Sequence, residues 1–187
     1  MKFSITHGMS QLTLQARLRR VRLVLMDVDG VLTDGRIFHL VDTRGRLVEF
    51  KGIHAQDSIG LSWLAQSGLQ TGVISGRMSQ GVAERMKILK MTYIYQHRLD
   101  KKRVFDEICR RARAEPREAL YIGDDLPDRP VLRAAGVGVA VANARPEVRR
   151  AARWVTRRSG GDGAVREVAE ALLKSQGLWD KIREKFH

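Results

Sequence analysis

Two aspartates spaced one residue apart, Asp27 and Asp29, follow the apolar residues Val24, Leu25 and Met26 and precede a turn at Gly30. An apolar run that leads straight into charge places both acids at the carboxyl end of a buried strand, where open α/β sheets bind their ligands. Two carboxylates crowded there need a cation to stay ionised together, and a hard divalent ion such as Mg²⁺ suits them. Asp27 can attack phosphorus as a nucleophile and form an aspartyl-phosphate. Asp29 can protonate a leaving alkoxide and then activate water. The run 69–74 ends in Ser75, Gly76 and Arg77, a hydroxyl and backbone N–H groups suited to a phosphate. Lys101, at the start of a helical segment, can offset charge on the transferring group. The run 119–122 ends in Gly123 followed by Asp124, Asp125 and Asp128, acids enough to complete a Mg²⁺ site. Short motifs of this kind recur singly by accident. In this order, each after its own apolar strand, they describe phosphoryl transfer to an aspartate.

The elements that must position these groups alternate. Residues 10–20 read as an amphipathic helix or arm leading into the strand 21–26. The segments 35–41 and 46–50 flank Asp42, Thr43, Arg44 and Gly45, a β-hairpin with Gly45 at the left-handed turn position. Helices are expected over 57–66, closed by Gly68, over 79–89, from a cap at Asp100 to about 114, and over 130–135, 146–152 and 164–174. Strands are expected over 69–74, 92–95, 119–122, 137–141 and 154–156. This alternation indicates an α/β fold, a doubly wound parallel sheet with right-handed crossovers. The exception is the hairpin, inserted after the first strand of that sheet and rising above its catalytic edge.

The 187 residues fit a single domain, with 1–20 as an N-terminal arm, 36–50 as the hairpin and 177–187 as a polar, basic tail. One cysteine, Cys109, excludes an internal disulfide framework and suits a reducing compartment. Residues 1–10 carry no apolar signal region and no later run approaches membrane-spanning length, so a cytoplasmic protein is expected, with no membrane partner. The net charge is +13. It concentrates in 17–22, 98–117 and 145–158, yet no aromatic residues interleave these runs as a stacking platform for single strands would require. Solvated helix faces and attraction of a small anion are the favoured reading, and nucleic acid is not expected as a partner.

Segments 27–35, 75–77, 123–125 and 160–167 together resemble the haloacid dehalogenase (HAD) superfamily of phosphatases, a HAD-like Rossmannoid fold, over essentially the whole chain after about Leu18. Within it the chain is most similar to the small, capless 3-deoxy-D-manno-octulosonate 8-phosphate (KDO 8-phosphate) phosphatases, which free a sugar acid used in lipopolysaccharide biosynthesis. The resemblance implies that Mg²⁺ is held by the Asp27 side chain, the Asp29 backbone carbonyl and the Asp124 side chain, with Asp125 and Asp128 behind them. It implies that Ser75 and Lys101 hold the phosphate, and that the sugar acid is met by His54, Gln56, Asp57, Ser58, the position of Ser62, Gly76, Arg77 and Arg85. It further implies a homotetramer in which hairpins from each copy form a small barrel, neighbours replace the missing cap, and a C-terminal tail reaches an adjacent site.

Arginine suits a carboxylate because its planar fork donates two parallel hydrogen bonds, and the helix from Ser79 is expected to bring Arg85 toward the pocket. Where the family pattern resembles Lys-x-Phe-(Asn/His)-x-x-Asp-Gly-x-Gly-Ile-(Lys/Arg), this chain reads Lys51-Gly-Ile-His54-Ala-Gln-Asp57-Ser58-Ile-Gly60-Leu-Ser62, with serine replacing the glycine at Ser58 and a basic residue at Ser62. These departures touch the sugar contacts and leave the phosphate chemistry intact. The expected activity is Mg²⁺-dependent hydrolysis of an acidic sugar phosphate. The alternatives are a phosphatase of a nonulosonate phosphate or of a nucleic-acid 3′-phosphate, and a non-catalytic nucleic-acid-binding scaffold.

Overall fold

Nine strands and eight helices make up the computed structural model, which describes residues 4–5 and 10–186. The strands are β1 (Ser4–Ile5), β2 (Leu23–Met26), β3 (Phe38–Val41), β4 (Leu47–Phe50), β5 (Gln70–Ile74), β6 (Tyr93–Tyr95), β7 (Ala119–Gly123), β8 (Val137–Ala140) and β9 (Trp154–Val155). The helices are α1 (Gln11–Leu18), α2 (Ala55–Gln66), α3 (Gln80–Ile88), α4 (Lys101–Ala112), α5 (Arg129–Ala134), α6 (Pro146–Ala151), α7 (Ala164–Ser175) and α8 (Trp179–Arg183). Seven strands form one sheet in the order β1-β9-β8-β7-β2-β5-β6, and β3 pairs with β4 alone. All neighbours in the large sheet run parallel except β1, which is antiparallel to β9. This is the expected mostly parallel α/β sheet with its hairpin insertion.

β2 lies at the centre, with Leu25 opposite Gly72 on β5 and Tyr121 on β7. All four of its residues are buried, which is why its sequence is an unbroken apolar run instead of an alternating one. The chain moves from β2 outward to β6, then returns to β7 and continues outward the other way. Right-handed crossovers therefore put α2 and α3 on one face and α4, α5 and α6 on the other. Helix α7 packs on α2 and α1, while α4 packs on α5. The reversal of strand order falls between β2 and β7, and the ends of β2, β5 and β7 surround the crevice that this creates.

The hairpin turns through Gly45 at φ +73°, and the Asp42 carboxylate accepts from the backbone N–H groups of Arg44 and Arg46. Two differences from the sequence reading are local. β1 is a two-residue strand that no periodicity marks, and the tail contains α8. This helix folds back on its own chain, where Trp179 meets Trp63 edge-on with centroids 5.5 Å apart and Arg166 stacks 3.9 Å from the Trp63 ring. Residues 1–3 and 6–9 of the N-terminal arm and residue 187 of the tail lie outside the described residues. Cys109 is buried, which pushes its thiol up to about 11 and leaves it unreactive. Among the described residues no helix is long and apolar enough to cross a membrane.

The loop between β9 and α7 closes against the loop after β2. Gly161 donates to the Val31 carbonyl, and a β-carbon at Gly160 would overlap the Gly30 carbonyl oxygen. Backbone meets backbone there, so no side chain can rotate away. Gly160→Ala should therefore lower stability by about 1–3 kcal/mol in urea unfolding; an unchanged midpoint would contradict this close packing.

Candidate active site

Asp27 directly follows β2, and its backbone N–H still pairs with Ile122 of β7. One of its carboxylate oxygens accepts from the Val28 N–H at 2.7 Å, and the other lies 2.8 Å from Lys101 Nζ. Lys101 opens α4, whose N-terminus is capped by Asp100 accepting from Arg103. The Lys101 side chain is 4% exposed. Burial works to lower its pKa, but Asp128 and Asp27 outweigh burial and keep the ammonium charged. Ser75 follows β5 and is buried; its Oγ accepts from the Arg77 N–H at 3.2 Å. These groups, with Asp29, Asp124 and Arg98, line a cavity of about 350 Å³ at the carboxyl edge of the sheet. A larger cavity of about 690 Å³ lies at the opposite edge between Arg22 and Gln176 and is lined by no acid.

Asp27, Asp124 and Asp128 each present an oxygen within 4.8 Å of the other two. They differ in what they have left to give. Asp128 is fully buried; one oxygen accepts from Lys101 and the Tyr121 hydroxyl at 2.7 Å each, the other from the backbone N–H groups of Asp124 and Asp125 at 3.0 and 3.2 Å. Four donors occupy its lone pairs, so Asp128 orients its neighbours and is not free to bind an ion. Asp124 is the reverse case: its Oδ1 is buried with no hydrogen-bond partner, and its carboxylate lies against Gly30, where a β-carbon would collide with it. An orphaned buried oxygen on a carboxylate grouped with Asp27 fits a divalent cation bound by Asp27 and Asp124. In the absence of a cation, burial and then the charge of Asp128 push the Asp27 carboxyl up to about 6 and that of Asp124 up to about 8. One ammonium does not balance three carboxylates in this space.

The Asp29 side chain is met by cations on the hairpin side of the cavity. Lys51 Nζ lies 2.6 Å from Asp29 Oδ1, and Arg77 Nε lies 3.9 Å from Oδ2. Glu49 joins both cations, 3.1 Å from Arg77 and 3.3 Å from Lys51. Burial acts to raise the Glu49 carboxyl, but Arg77 and Lys51 outweigh it and hold it low. Sequence reasoning gave no role to Lys51, Glu49 or Arg98. The available signal was the alternation of Glu49 and Lys51 with the apolar Val48 and Phe50.

The residues expected at the sugar are divided. Gly76 and Arg77 line the cavity with Asp27. Asp125 lines it too, but its side chain accepts from the Leu126 N–H in a local turn. Arg85 does not reach it; its guanidinium donates to Ser58 Oγ at 3.1 Å beside a neighbouring cavity of about 320 Å³. Ser62 lies on yet another surface and accepts from Gln66. Asp57 corrects the expectation most clearly. It is fully buried, and its oxygens accept from the Gly163 and Arg166 N–H groups at 3.2 and 2.7 Å, so it caps α7 and cannot meet a sugar in this chain. Gln56 is exposed, and His54 is half-buried with Nε2 4.0 Å from Asp162.

Comparison with known proteins gives concordant matches. Residues 87–168 match the family model of the haloacid dehalogenase-like hydrolases. The chain is 36% identical over 177 residues to the 3-deoxy-D-manno-octulosonate 8-phosphate phosphatase of Escherichia coli, covering 95% of this chain and 92% of that one. The enzyme of the same description from Moraxella catarrhalis, solved with magnesium, phosphate and KDO, superposes with a TM-score of 0.89 at 36% identity, over 95% of this chain and all of that one. The Yersinia pestis enzyme gives 0.84 at 36% identity, over 90% and 89%.

Because Asp27 and Asp124 are pushed up, the metal-free folded chain binds more protons than the unfolded chain up to about pH 8, so these groups make it less stable as pH rises. A cation displaces those protons. Mg²⁺ should therefore raise Tm more at about pH 8 than at about pH 6. Calorimetry with and without Mg²⁺ at both values checks this, and equal shifts would contradict it.

Proposed function

The chain belongs to the 3-deoxy-D-manno-octulosonate 8-phosphate phosphatases among the haloacid dehalogenase-like hydrolases, and from that membership we propose that it hydrolyses this octulosonate phosphate to the free sugar acid and phosphate. The observation that carries the reading is Asp27 at the end of β2, 2.8 Å from Lys101 and grouped within 4.8 Å with Asp124, which has an unpartnered buried oxygen. An Asp27 oxygen attacks phosphorus while the bond from phosphorus to the sugar oxygen breaks, and Asp29 gives its proton to that oxygen. Water then attacks the aspartyl-phosphate as Asp29 takes its proton, and the bond to Asp27 breaks to release phosphate. Ser75 Oγ and the N–H groups of the turn at Gly76 bind the phosphoryl oxygens, and Lys101 balances their charge. Asp27, Asp124 and the Asp29 carbonyl would hold the Mg²⁺, which when bound neutralises phosphoryl charge and lets both carboxylates stay ionised.

Arg77 and Arg98, at the same cavity, supply the positive charge for the sugar carboxylate. Arg85 and the segment from His54 to Ser58 lie outside that cavity in one copy, which is consistent with a site completed by neighbours. Phe38, Leu40, Val41, Leu47, Val48 and Phe50 of the hairpin are each 39–69% exposed, more apolar surface than an isolated ribbon leaves to water. The proposal therefore includes a homotetramer joined through the hairpins. It extends to the cytoplasm on the strength of the single buried, unreactive cysteine.

Asp27→Asn should fold normally and lose more than about a thousandfold in kcat, since the amide cannot form the phosphoryl ester. Wild-type kcat/KM should favour the octulosonate 8-phosphate over glucose 6-phosphate by at least about tenfold, the worth of one charge-assisted carboxylate contact. A better rate on glucose 6-phosphate, or on a 3′-phosphorylated oligonucleotide, would overturn the substrate assignment and leave the phosphatase chemistry. Sedimentation should show tetramers for the wild type and smaller species for Phe38→Ser with Phe50→Ser; a monomeric wild type would contradict the assembly.

A further inference from the structure

Strand β4 presents two unlike faces. Its register sets Phe50 beside Phe38 and Val48 beside Leu40, with the phenyl rings stacked at 5.3 Å between centroids. The alternation of side chains along a strand sends Glu49 to the other face, and Lys51, one residue beyond the strand, follows it. There Lys51 is 2% exposed, with Nζ 2.6 Å from Asp29 and 3.3 Å from Glu49. Arg77 meets the same two acids, so Asp29, Lys51, Glu49 and Arg77 close a ring of alternating charge.

An ammonium stripped of water is stable only where carboxylates match it, and removing one partner strands the other. Asp27 and Asp128 are each fixed by backbone N–H donors, whereas among the described residues the Asp29 carboxylate meets only Lys51 and Arg77. Its direction thus depends on side chains alone, and the shorter contact comes from the residue directly after the hairpin strand. Lys51 does not line the cavity that holds Asp27; it lines another, with Glu49 and Arg85. Resting on the phosphatase reading above, we infer that Lys51 is a positioning residue for the acid–base step, fixing the direction of the Asp29 carboxylate at the cavity it shares with Asp27 and making that placement depend on where the hairpin lies.

The test compares wild type, Lys51→Met and Lys51→Arg with Mg²⁺ on two esters, the octulosonate 8-phosphate and p-nitrophenyl phosphate. For Lys51→Met, kcat on the sugar phosphate should fall at least about tenfold with KM changed less than about threefold, because an alkoxide leaves poorly without a well-placed acid. Nitrophenolate needs little protonation, so the same variant should release it in a burst near the enzyme concentration, followed by slow turnover while water lacks its base. Lys51→Arg should recover most of the loss. Should Lys51→Met not fold, Glu49→Gln, which keeps the Lys51–Asp29 pair but loosens Lys51, should give the same pattern at smaller size. Equal losses on both esters without a burst, a change in KM alone, or unchanged kinetics would overturn the assignment. A wild type inert toward both esters would overturn the phosphatase reading itself, and the assignment with it.

Discussion

Asp27, Asp124 and Asp128 crowd within 4.8 Å of one another around the single ammonium of Lys101, and the rest of the site follows from how that charge is divided. Asp128 is fully spent on four donors, so it serves as the fixed post against which Lys101 and the backbone at Asp124 are set. Lys101 is shared between Asp128 and Asp27 and cannot neutralise both. Asp124 has an oxygen with no partner at all. A buried set with that deficit either binds protons or binds a divalent cation, and the raised carboxyls of Asp27 and Asp124 describe the first state. The glycine at Gly30 leaves room for the Asp124 carboxylate, and the glycines at the start of the 160–163 loop hold the loop after β2 in place.

The hairpin connects this centre to the outside of the molecule. Its apolar face is exposed, and its charged face ends on Asp29 and Arg77. A capless fold leaves one side of the cavity open, so contacts that a cap would make must come from elsewhere. With Asp29 as the proposed acid–base and the hairpin as the proposed joint between copies, the Lys51 and Glu49 contacts would tie the chemistry to the assembly. The electrostatics have a plain rationale: isolated on the surface, such ion pairs contribute little, but Lys51 is almost entirely withdrawn from water.

The sequence made the catalytic strand ends legible because parallel strands buried on both faces are short apolar runs, and charge directly after such a run has few places to be. Asp27, Ser75 and Asp124 meet for that reason, Lys101 joins them from the start of α4, and the turn at Gly45 was legible from its own chemistry. The longer-range arrangements were not. That Asp57 caps α7 depends on a loop more than a hundred residues away, and nothing near Asp57 announces it. Arg85 and Ser62 are on the right elements but face other surfaces, since a helix of known boundaries still has an unknown rotation until its partners are fixed. Glu49 and Lys51 carried a period-two signal, yet which face of the hairpin meets the sheet is set by packing and not by alternation.

The central claim is that Asp27 is the nucleophile of a site in which Asp124 binds the metal and Asp128 does not. A crystal structure with Mg²⁺ and beryllium fluoride tests it directly. The account predicts beryllium bonded to an Asp27 oxygen, Mg²⁺ ligated by Asp27 and Asp124, and Asp128 still accepting from Lys101 and Tyr121. Beryllium on Asp29, or Mg²⁺ bound by the Asp128 carboxylate, would contradict it.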